Sequence, residues 1–351
     1  MKDFNSILIS WYNKNNRDLP WRHTKNPYII WISEIILQQT RVNQGLEYFN
    51  RFVKRFPDVA SLAEAPEDEV MKYWQGLGYY SRARNLHAAA KQIMEKCNGI
   101  FPRKYEQVLQ LKGIGEYTAA AICSFAYDLP YAVLDGNVYR VLARLFAIEM
   151  PINLPKAKKE FQELAQQLLN VREPALHNQA IMEFGALQCV PVSPDCAGCV
   201  LREKCLALAG NKVNELPVKI KASAPQNRYF NYIMIVNGGY TYLRRREGND
   251  IWKNLYEFPL IETNHKVDIS ELPEQEAFLQ LTDNMGDVAI TLKLDNIKHV
   301  LSHRIINTSF YVMQVDNEND LLRHRYVKIQ LNAIHDYPVS RLMEIFVEKI
   351  T

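Results

Sequence analysis

The sequence contains no run of about eighteen apolar residues, the length that a helix needs to span a bilayer, so no membrane segment is expected. It lacks low-complexity tracts and repeats of fixed period, which excludes a disordered chain or a solenoid. The N-terminal stretch MKDFNSILISWYNKNNRD has only a short apolar patch with no small-residue cleavage site after it, so no secretory signal is expected. These absences predict a globular protein of a reducing compartment.

Strand patterns are scarce between Trp11 and about Leu208, where apolar residues recur at three- and four-residue spacing and predict helices. The polar stretch NKVNELPVKIKASAPQNR has two prolines and predicts a linker over residues 209–224, with a domain boundary near Ala222. Beyond it, YFNYIMIVNGGYTYLRRR predicts a hairpin, HVLSHRIINTSFYVMQV a second strand pair and SRLMEIFVEKI an amphipathic helix. We therefore expect an all-α region over residues 1–208 and an α/β domain over residues 225–351.

Neither sign of charge dominates, since the formal net charge is +3. Residues 1–221 carry 28 Lys and Arg against 22 Asp and Glu, a net of +6, which leaves 14 against 17, a net of −3, for residues 222–351. The basic part is the N-terminal part. This distribution suits a polyanionic partner without requiring one.

Cysteine is sparse, with six residues, but four of them lie within seventeen positions. The pattern C-x6-C-x2-C-x5-C is formed by Cys189, Cys196, Cys199 and Cys205. Four thiolates suit zinc or a 4Fe-4S cluster, and two disulfides are the plainer alternative. Clustering without a secretion signal favours the metal or cluster site. Cys97 and Cys123 are expected to be ordinary buried thiols.

The segment LKGIGEYTAAAI (111–122) places Gly113 and Gly115 around a tight turn before an alanine-rich helix. Such a turn exposes backbone N–H groups beside a helix N-terminus, where a phosphate can bind. A plain helix-turn-helix corner is the alternative. Asp135 follows twenty residues after Gly115, in VLDGNVYRVLAR, and its Asp-Gly-Asn context is also good helix-cap chemistry.

One carboxylate, Glu34, lies among aliphatic residues in IIWISEIILQQT. A helix that is apolar on so many sides is largely buried, so this carboxylate either has a partner or retains a proton through desolvation. The alternative is that Glu34 faces solvent on a narrow polar stripe with Gln38.

Together these motifs resemble the HhH-GPD superfamily of DNA glycosylases, which includes endonuclease III and the adenine DNA glycosylases (MutY). The resemblance rests on FGALQC before the cysteine pattern, on the glycine hairpin with its following aspartate, and on SE-x3-LQQT, and it covers the first 221 residues. It implies two helical lobes with a DNA cleft between them. It also implies a structural 4Fe-4S cluster, in loop 189–205, on the four clustered cysteines, with Arg202 and Lys204 available to phosphates.

The position that carries a Schiff-base lysine in lyase-competent members is occupied by Tyr117, and Lys112 lies before the turn. With no amine at this position, the resemblance implies hydrolysis of the glycosidic bond without strong lyase activity. It therefore favours the adenine branch over the endonuclease III branch.

Two carboxylates of different pKa can break a purine glycosidic bond. We hypothesise that Glu34 is the general acid that protonates adenine at N7 and that ionised Asp135 stabilises the oxocarbenium-like sugar. The resemblance implies that Tyr117 and Asn137 support this site.

DNA-reading residues are implied by the resemblance in several motifs. In QGLGYYSRARNLH, Leu77 and Tyr79 would wedge beside an oxidised guanine, and Arg82 and Arg84 suit phosphates; core packing is the alternative for Leu77 and Tyr79. The remaining implied contacts are insertion by Gln39, a lesion contact by Thr40, phosphate binding at Gly113 and Gly115, and an adenine pocket near Trp21 and Arg22 of LPWR with Gln179 opposite. For Trp21 and Arg22 a packed helix cap is the alternative.

The C-terminal part resembles the Nudix-related domain of the same branch, with WKNLYEFP (252–259) in the expected place. The glutamate pattern G-x5-E-x7-RE-x2-EE of Nudix hydrolases is missing, so we expect a lesion-recognition domain. In HVLSHR, Ser302 and His303 can hydrogen-bond an oxidised guanine, but Leu301 replaces the usual aromatic residue. A binding module for another partner is the alternative.

Three hypotheses follow: a monofunctional adenine glycosylase acting on adenine opposite 8-oxoguanine or guanine in duplex DNA, a bifunctional pyrimidine glycosylase and lyase, and a non-enzymatic iron-sulfur DNA-binding protein. The first is favoured by Tyr117 together with the pair Glu34 and Asp135. We expect a monomer without a small-molecule substrate, located in the cytoplasm, or at the nucleoid if the source is bacterial.

Overall fold

The computed structural model describes residues 2–220, 224–286 and 288–350, and the chain forms two compact units. Unit 1 comprises Met1–Glu64 and Asn85–Lys221, and unit 2 comprises Ala65–Arg84 and Ala222–Thr351. Twenty residues from the helical part of the sequence thus belong to the unit that contains the C-terminal part of the chain. The third junction between the units, after Lys221, falls inside the segment 209–224.

Unit 1 is helical, and none of its described residues lies in a strand. In chain order the helices are α1 (Lys2–Asn15), α2 (Pro27–Leu37), α3 (Val42–Arg55), α4 (Val59–Glu64), α5 (Glu67–Trp74, in unit 2), α6 (Ser81–Cys97, which begins in unit 2), α7 (Tyr105–Leu109), α8 (Glu116–Tyr127), α9 (Gly136–Leu145), α10 (Pro155–Leu168), α11 (Pro174–Leu187) and α12 (Leu206–Ala209). The prediction of a helical N-terminal region is confirmed.

Helix α2 begins where its sequence provides a cap: Asn26 accepts a hydrogen bond from Tyr28 N, and Pro27 occupies the first turn. Every residue of α2 from Ile30 to Ile36 is buried, as expected for a helix that is apolar on all sides. It packs against α3 and α8. Small side chains at Ala119–Ala121 of α8 are buried, which permits close packing.

Helix α9 is held at its start by Asp135, whose carboxylate accepts hydrogen bonds from Asn137 N at 2.9 Å and Val138 N at 2.8 Å. The predicted cap therefore exists. Helix α11 approaches α9 closely at Gly185, where a Cβ atom would lie 2.7 Å from Asn137 Cβ. Glycine is needed there because any side chain would push the two helices apart.

The described part of the segment 209–224 packs on unit 1. Ile152 N donates to Val218 O at 3.0 Å, and Arg144 Nε donates to Leu216 O at 3.0 Å. These bonds fix the segment to the helical unit up to residue 220.

The C-terminal part of unit 2 is a mixed sheet with helices on both faces, as predicted for an α/β domain. Its elements are β1 (Gln226–Asn237), β2 (Tyr240–Arg245), β3 (Tyr256–Glu257), β4 (Leu260–Thr263), α13 (Glu276–Thr282), β5 (Ala289–Val300), β6 (Arg304–Gln314), α14 (Asp320–Arg325), β7 (Val327–Gln330) and α15 (Arg341–Ile350). The strand order is β3-β2-β1-β6-β5, with β4 paired to β1 and β7 to β2. Both predicted hairpins, β1–β2 and β5–β6, are antiparallel, and the predicted C-terminal helix is present.

Strands β1 and β6 are parallel neighbours at the centre of the sheet. Alternate residues of β1 enter two cores: Phe230, Tyr232 and Met234 pack with α15 residues on one face, and Ile233 and Ile235 face the other. This alternation follows from the two-residue period of a strand.

Within the described residues, no helix combines the length and the apolarity that crossing a membrane requires.

Candidate active site

A cleft of about 720 Å³ opens in unit 1 between segments that are far apart in sequence. It is lined by nine of the predicted site residues: Trp21, Arg22, Glu34, Gln39, Thr40, Tyr117, Asp135, Asn137 and Gln179. The predicted acid and the predicted sugar-stabilising carboxylate therefore face one space. Its volume is within the range of cavities that accommodate small-molecule-sized groups.

Glu34 is buried in α2, with 7% of its surface exposed, so the alternative of a solvent-facing polar stripe is wrong. Tyr117 Oη donates a hydrogen bond to Glu34 Oε2 at 2.6 Å. Burial raises the pKa of Glu34 to about 7; the Tyr117 bond opposes this rise and the charge of Asp135 adds to it. A carboxyl with this pKa can hold a proton and release it near neutral pH.

Asp135 is held by more donors than Glu34. Besides the two cap bonds, its Oδ2 accepts from Asn137 Nδ2 at 2.7 Å. Burial raises the pKa of Asp135, and the hydrogen bonds from Val138 and Asn137 and the nearby charge of Arg140 oppose the rise. The two carboxyl groups thus have different surroundings: one donor holds Glu34, and several hold Asp135.

Glu183 on α11 is a site residue that sequence reasoning missed. Its side chain is 1% exposed and accepts bonds from Arg17 Nη2 and Arg22 Nη2, both at 2.6 Å. Burial alone would raise the pKa of Glu183, but the bonds from Arg17 and Arg22 lower it to about 2. A lone carboxylate in the apolar stretch IMEFGAL is the same signal that singled out Glu34, and it was present in the sequence.

The other predicted pocket residues lie beside this ion pair. Trp21 is buried and makes an edge contact with Phe49, with ring centroids 5.1 Å apart. Gln179 accepts a hydrogen bond from Tyr12 Oη at 3.0 Å. Both residues also line the cleft, so packing and a place at the site coincide.

Gln39 and Thr40 follow the end of α2 at the edge of the cleft. Gln39 is exposed and has a φ of 57°, a left-handed conformation that a residue with a side chain adopts at a cost. Thr40 N donates to Leu37 O at 3.2 Å. The helix therefore ends in a tight turn that presents the Gln39 side chain outward.

The glycine hairpin has the predicted shape. Gly113 has a φ of +78°, and a Cβ there would lie 2.5 Å from Asn85 Cβ, so only glycine fits. Gly115 precedes α8, and a Cβ there would meet nothing within 4 Å. The surface before the α8 N-terminus is thus open, as binding of a large anion would require.

The four clustered cysteines surround one small cavity in unit 1. Arg144 Nη1 donates to Cys189 Sγ at 3.4 Å, and Arg140 Nε donates to Cys189 O at 2.7 Å. Across residues 2–220, 224–286 and 288–350, no three His, Cys, Asp or Glu side chains are grouped so that they could hold a metal ion as they stand. Outside the loop, Cys123 is buried as predicted, but Cys97 is only half-buried, since it ends α6 beside a turn.

The loop cations are partly engaged. Lys204 Nζ lies 2.7 Å from Asp3 Oδ2, and Arg202 Nη1 donates to Ala197 O at 3.3 Å. Both side chains are exposed, which leaves them accessible.

Leu77 and Tyr79 lie in unit 2, in the turn between α5 and α6. Leu77 is 8% exposed and Tyr79 is 53% exposed, so Leu77 is packed within the protein in this structure and Tyr79 is open to solvent. The structure contradicts the prediction for Arg82: its side chain is buried and donates to Leu77 O at 3.3 Å and Gly78 O at 3.2 Å. Arg84 Nη1 likewise donates within the protein, to Lys253 O at 2.7 Å. Both arginines hold loops instead of standing free for phosphates.

Ser302 and His303 form the exposed two-residue turn between β5 and β6. Leu301 N donates to Arg304 O at 2.8 Å, which closes this hairpin, and the Leu301 side chain packs against the core next to α15. Ser302 Oγ lies 3.3 Å from Tyr79 Oη. Two of the predicted lesion-contacting residues are therefore neighbours within unit 2.

Comparison with known proteins shows the family to which this chain belongs. The profile of the HhH-GPD superfamily of base excision DNA repair proteins matches residues 32–170, and that of the NUDIX domain matches residues 231–349. An adenine DNA glycosylase of Buchnera aphidicola from Acyrthosiphon pisum is 32% identical over 355 residues, which covers 99% of this chain and 98% of the relative. The chain belongs to the adenine DNA glycosylase family.

The resemblance inferred from the sequence is thereby confirmed, and the chain is a DNA N-glycosylase. An adenine DNA glycosylase of Mus musculus is 41% identical over 213 residues, which covers 58% of this chain and 41% of the mouse protein. A solved thermostable thymine-DNA glycosylase superposes with a TM-score of 0.56 at 30% identity, over 60% of this chain and 96% of its own length. Because that enzyme is named for a different base, the helical fold alone does not decide which base is removed.

Proposed function

We propose that this adenine DNA glycosylase family member hydrolyses the N-glycosidic bond of adenine opposite 8-oxoguanine or guanine in duplex DNA. One observation carries the proposal: Glu34, with a pKa of about 7, and the capped carboxylate of Asp135 line the same cleft. We further propose a monomer that acts in the cytoplasm, at the nucleoid if the source is bacterial.

The proposed reaction begins with the Glu34 carboxyl donating its proton to adenine N7. The C1′–N9 bond then breaks, and its electron pair leaves with the base. The negative charge of Asp135 stabilises the cationic sugar that remains, because it acts on the developing positive charge at short range. Water then adds to C1′ and loses a proton, which returns the Glu34 carboxyl to its protonated form.

Tyr117 supports hydrolysis over lyase chemistry. Its hydroxyl is occupied by the bond to Glu34 Oε2, and a phenol cannot form a Schiff base with the sugar. This geometry fits a monofunctional enzyme that leaves the DNA backbone intact.

The target base must leave the helix to reach the cleft. We assign Trp21, Arg22 and Gln179 to the adenine pocket. Glu183 and its two arginines form a rigid wall of that pocket, since each polar group of the trio already has a charged partner.

The DNA contacts are proposed from exposure and backbone shape. We assign insertion and lesion contacts to the exposed Gln39 and Tyr79 and to the adjacent Thr40 and Leu77. Phosphate binding is assigned to the turn of Gly113 and Gly115. Recognition of the oxidised guanine is assigned to Ser302 and His303. The left-handed conformations of Gln39 and Tyr79 support this assignment, because strained residues cluster at functional sites.

The cysteine loop is proposed to hold a 4Fe-4S cluster through Cys189, Cys196, Cys199 and Cys205. In a cluster each thiolate binds a separate iron atom, whereas a zinc ion draws four thiolates to one point at about 2.3 Å. The cysteines line a common cavity without converging on a single ion, which fits the cluster better. When bound, the cluster would cross-link the loop. Arg144 Nη1 donates to Cys189 Sγ and Leu201 N donates to Cys199 Sγ, both at 3.4 Å, and these bonds would stabilise its thiolates.

The test is incubation of the purified protein with a duplex that carries adenine opposite 8-oxoguanine, followed by analysis with and without alkali. We expect strand cleavage only after alkali. Cleavage without alkali would favour a bifunctional lyase, and no base release from this or any pyrimidine-lesion duplex would favour a non-enzymatic DNA-binding protein.

A further inference from the structure

The turn Gly76–Tyr79, which carries the proposed wedge residues, is bordered by two residues that bind the backbone of the same residue, Val339. Val339 N donates to Gln75 Oε1 at 3.3 Å, and Tyr80 Oη donates to Val339 O at 3.3 Å. Val339 lies between β7 and α15, far away in sequence but in the same unit. The two ends of the turn are therefore fastened to one residue of the C-terminal part of the chain.

Gln75 has further partners on both sides. Its Nε2 donates to Glu344 Oε1 of α15, and its Oε1 also accepts from Lys72 Nζ at 3.3 Å. Lys72 Nζ donates as well to Tyr337 O at 3.3 Å. The residues 337–344 thus receive or supply several hydrogen bonds that fix the end of α5.

The turn itself is held in an uncommon backbone shape. Gly76, Gly78 and Tyr79 have φ values of 94°, 72° and 47°. Trp74 Nε1 donates to Gly78 O at 3.1 Å, and Tyr80 Oη accepts from Gly76 N at 3.4 Å. A sequence with two glycines would sample many other shapes unless contacts outside the turn selected this one.

We propose that the segment Tyr337–Glu344 is a seat that sets the shape of the wedge turn, and that Gln75 and Tyr80 are positioning residues for base insertion. The inference rests on the proposed function of Leu77 and Tyr79. It gives the C-terminal part of the chain a second role beside the lesion contact by Ser302 and His303: it holds in place the turn whose residues are proposed to enter the duplex. Gln75, Tyr80 and Tyr337–Glu344 belong to unit 2, whereas Glu34 and Asp135 belong to unit 1, so this role concerns base flipping and not bond cleavage.

The test exchanges the hydrogen-bond donor and acceptor between Gln75 and Glu344. Gln75→Glu keeps the acceptor for Val339 N but replaces the donor to Glu344 with a second carboxylate, so the contact becomes repulsive. Glu344→Gln together with Gln75→Glu restores a donor and an acceptor in swapped positions. Tyr80→Phe removes only the hydroxyl, and Tyr229→Phe, on β1 of the same unit, is the matched control for loss of a tyrosine hydroxyl.

Each full-length variant is mixed with a duplex that has adenine opposite 8-oxoguanine and 2-aminopurine beside the adenine. The fluorescence rise reports departure of the target base from the stack, and alkali-revealed cleavage reports adenine release in the same sample. We expect Gln75→Glu and Tyr80→Phe to slow the fluorescence rise by about three- to tenfold, the effect of one hydrogen bond. The release rate constant after flipping should stay unchanged, and the double variant should recover most of the flipping rate.

Thermal unfolding of each variant shows whether it folds, and the double variant keeps the test valid if Gln75→Glu is destabilised. Wild-type flipping rates in Gln75→Glu and Tyr80→Phe, or no recovery in the double variant, would contradict the proposed role of Tyr337–Glu344. The proposed function would not be affected by either result. Absence of adenine release by the wild-type protein would instead overturn the proposed function, and the inference with it.

Discussion

Among single residues, Glu34 couples burial to chemistry most directly. Because its pKa is about 7, the group is protonated below pH 7 and ionised above it. As the proposed acid it must be protonated, so the single-turnover rate of adenine release should fall about tenfold per pH unit above pH 7. A pH profile of that rate checks the prediction, and a flat profile between pH 6 and 9 would contradict it.

Replacement of Glu34 by Gln should lower single-turnover adenine release by about a hundredfold or more, because general acid catalysis contributes factors of this size.

The Glu34→Gln variant should also be more stable than the wild type at pH 8. The native carboxyl has a pKa above its unfolded value of 4.5, so folding stability is greater while Glu34 is protonated and decreases as pH rises from 4.5 towards 7. At pH 8 the neutral amide avoids this penalty, on the order of 1–3 kcal/mol, and its melting temperature should exceed that of the wild type. Equal stability at pH 8 would mean that Glu34 is not desolvated.

Tyr117 should tune the same pKa. Its hydroxyl bond favours the ionised form of Glu34, so Tyr117→Phe should raise the pKa of Glu34 further. The decline of the adenine release rate should then begin at a higher pH than in the wild type. Pre-steady-state rates of both proteins across the same pH range test this, and a decline that moves to lower pH would show that Tyr117 does not bond Glu34 in solution.

At the scale of secondary structure, the spacing of α9 and α11 governs the position of Asp135. A Cβ atom on Gly185 would lie 2.7 Å from Asn137 Cβ and 2.9 Å from Asn137 O. Gly185→Ala should therefore displace the start of α9, lower stability by about 1–3 kcal/mol as overpacking does, and reduce adenine release.

Gly136→Ala is the matched control for stability, since a Cβ there would meet nothing within 4 Å. Its free energy of unfolding should equal that of the wild type or exceed it slightly. Urea denaturation measures both variants. If Gly185→Ala were as stable as Gly136→Ala, the two helices would have room that the structure does not show.

Local patterns predicted the elements well where one face or one turn decides them. The apolar periodicity of α2, the cap at Asp135 and the Asn-Gly-Gly hairpin are all properties of a few neighbouring residues. The ion pair of Glu183 with Arg17 joins residues that are far apart in the sequence, and single-sequence patterns do not report partners at such separation. The parallel pairing of β1 with β6 was missed for the same reason.

For the whole molecule, the sequence suggested one boundary, whereas the packing uses three junctions. Residues 65–84 read as part of a helical region because their periodicity is helical, and periodicity carries no information about which unit a helix packs on. Their partners are specific: Arg245 Nη2 lies 3.2 Å from Glu67 Oε1 and 3.2 Å from Asp68 Oδ1, and Tyr256 Oη donates to Asp68 Oδ2 at 3.0 Å. The excess of positive charge in residues 1–221, by contrast, can be counted directly from the sequence.

A chain that ends at residue 221 should therefore lose more than the structure of the removed C-terminal part. It would leave α5 and the wedge turn without the partners that unit 2 supplies, so its melting temperature should fall by about 5 °C or more, since 1 kcal/mol corresponds to roughly 2–4 °C at this size. The matched control is the full chain cut at a protease site inserted after residue 221, with both parts kept in the same sample. The cut chain should keep its melting temperature because the contacts of residues 65–84 are not covalent. A truncated chain as stable as the cut one would show that residues 65–84 fold with unit 1 alone.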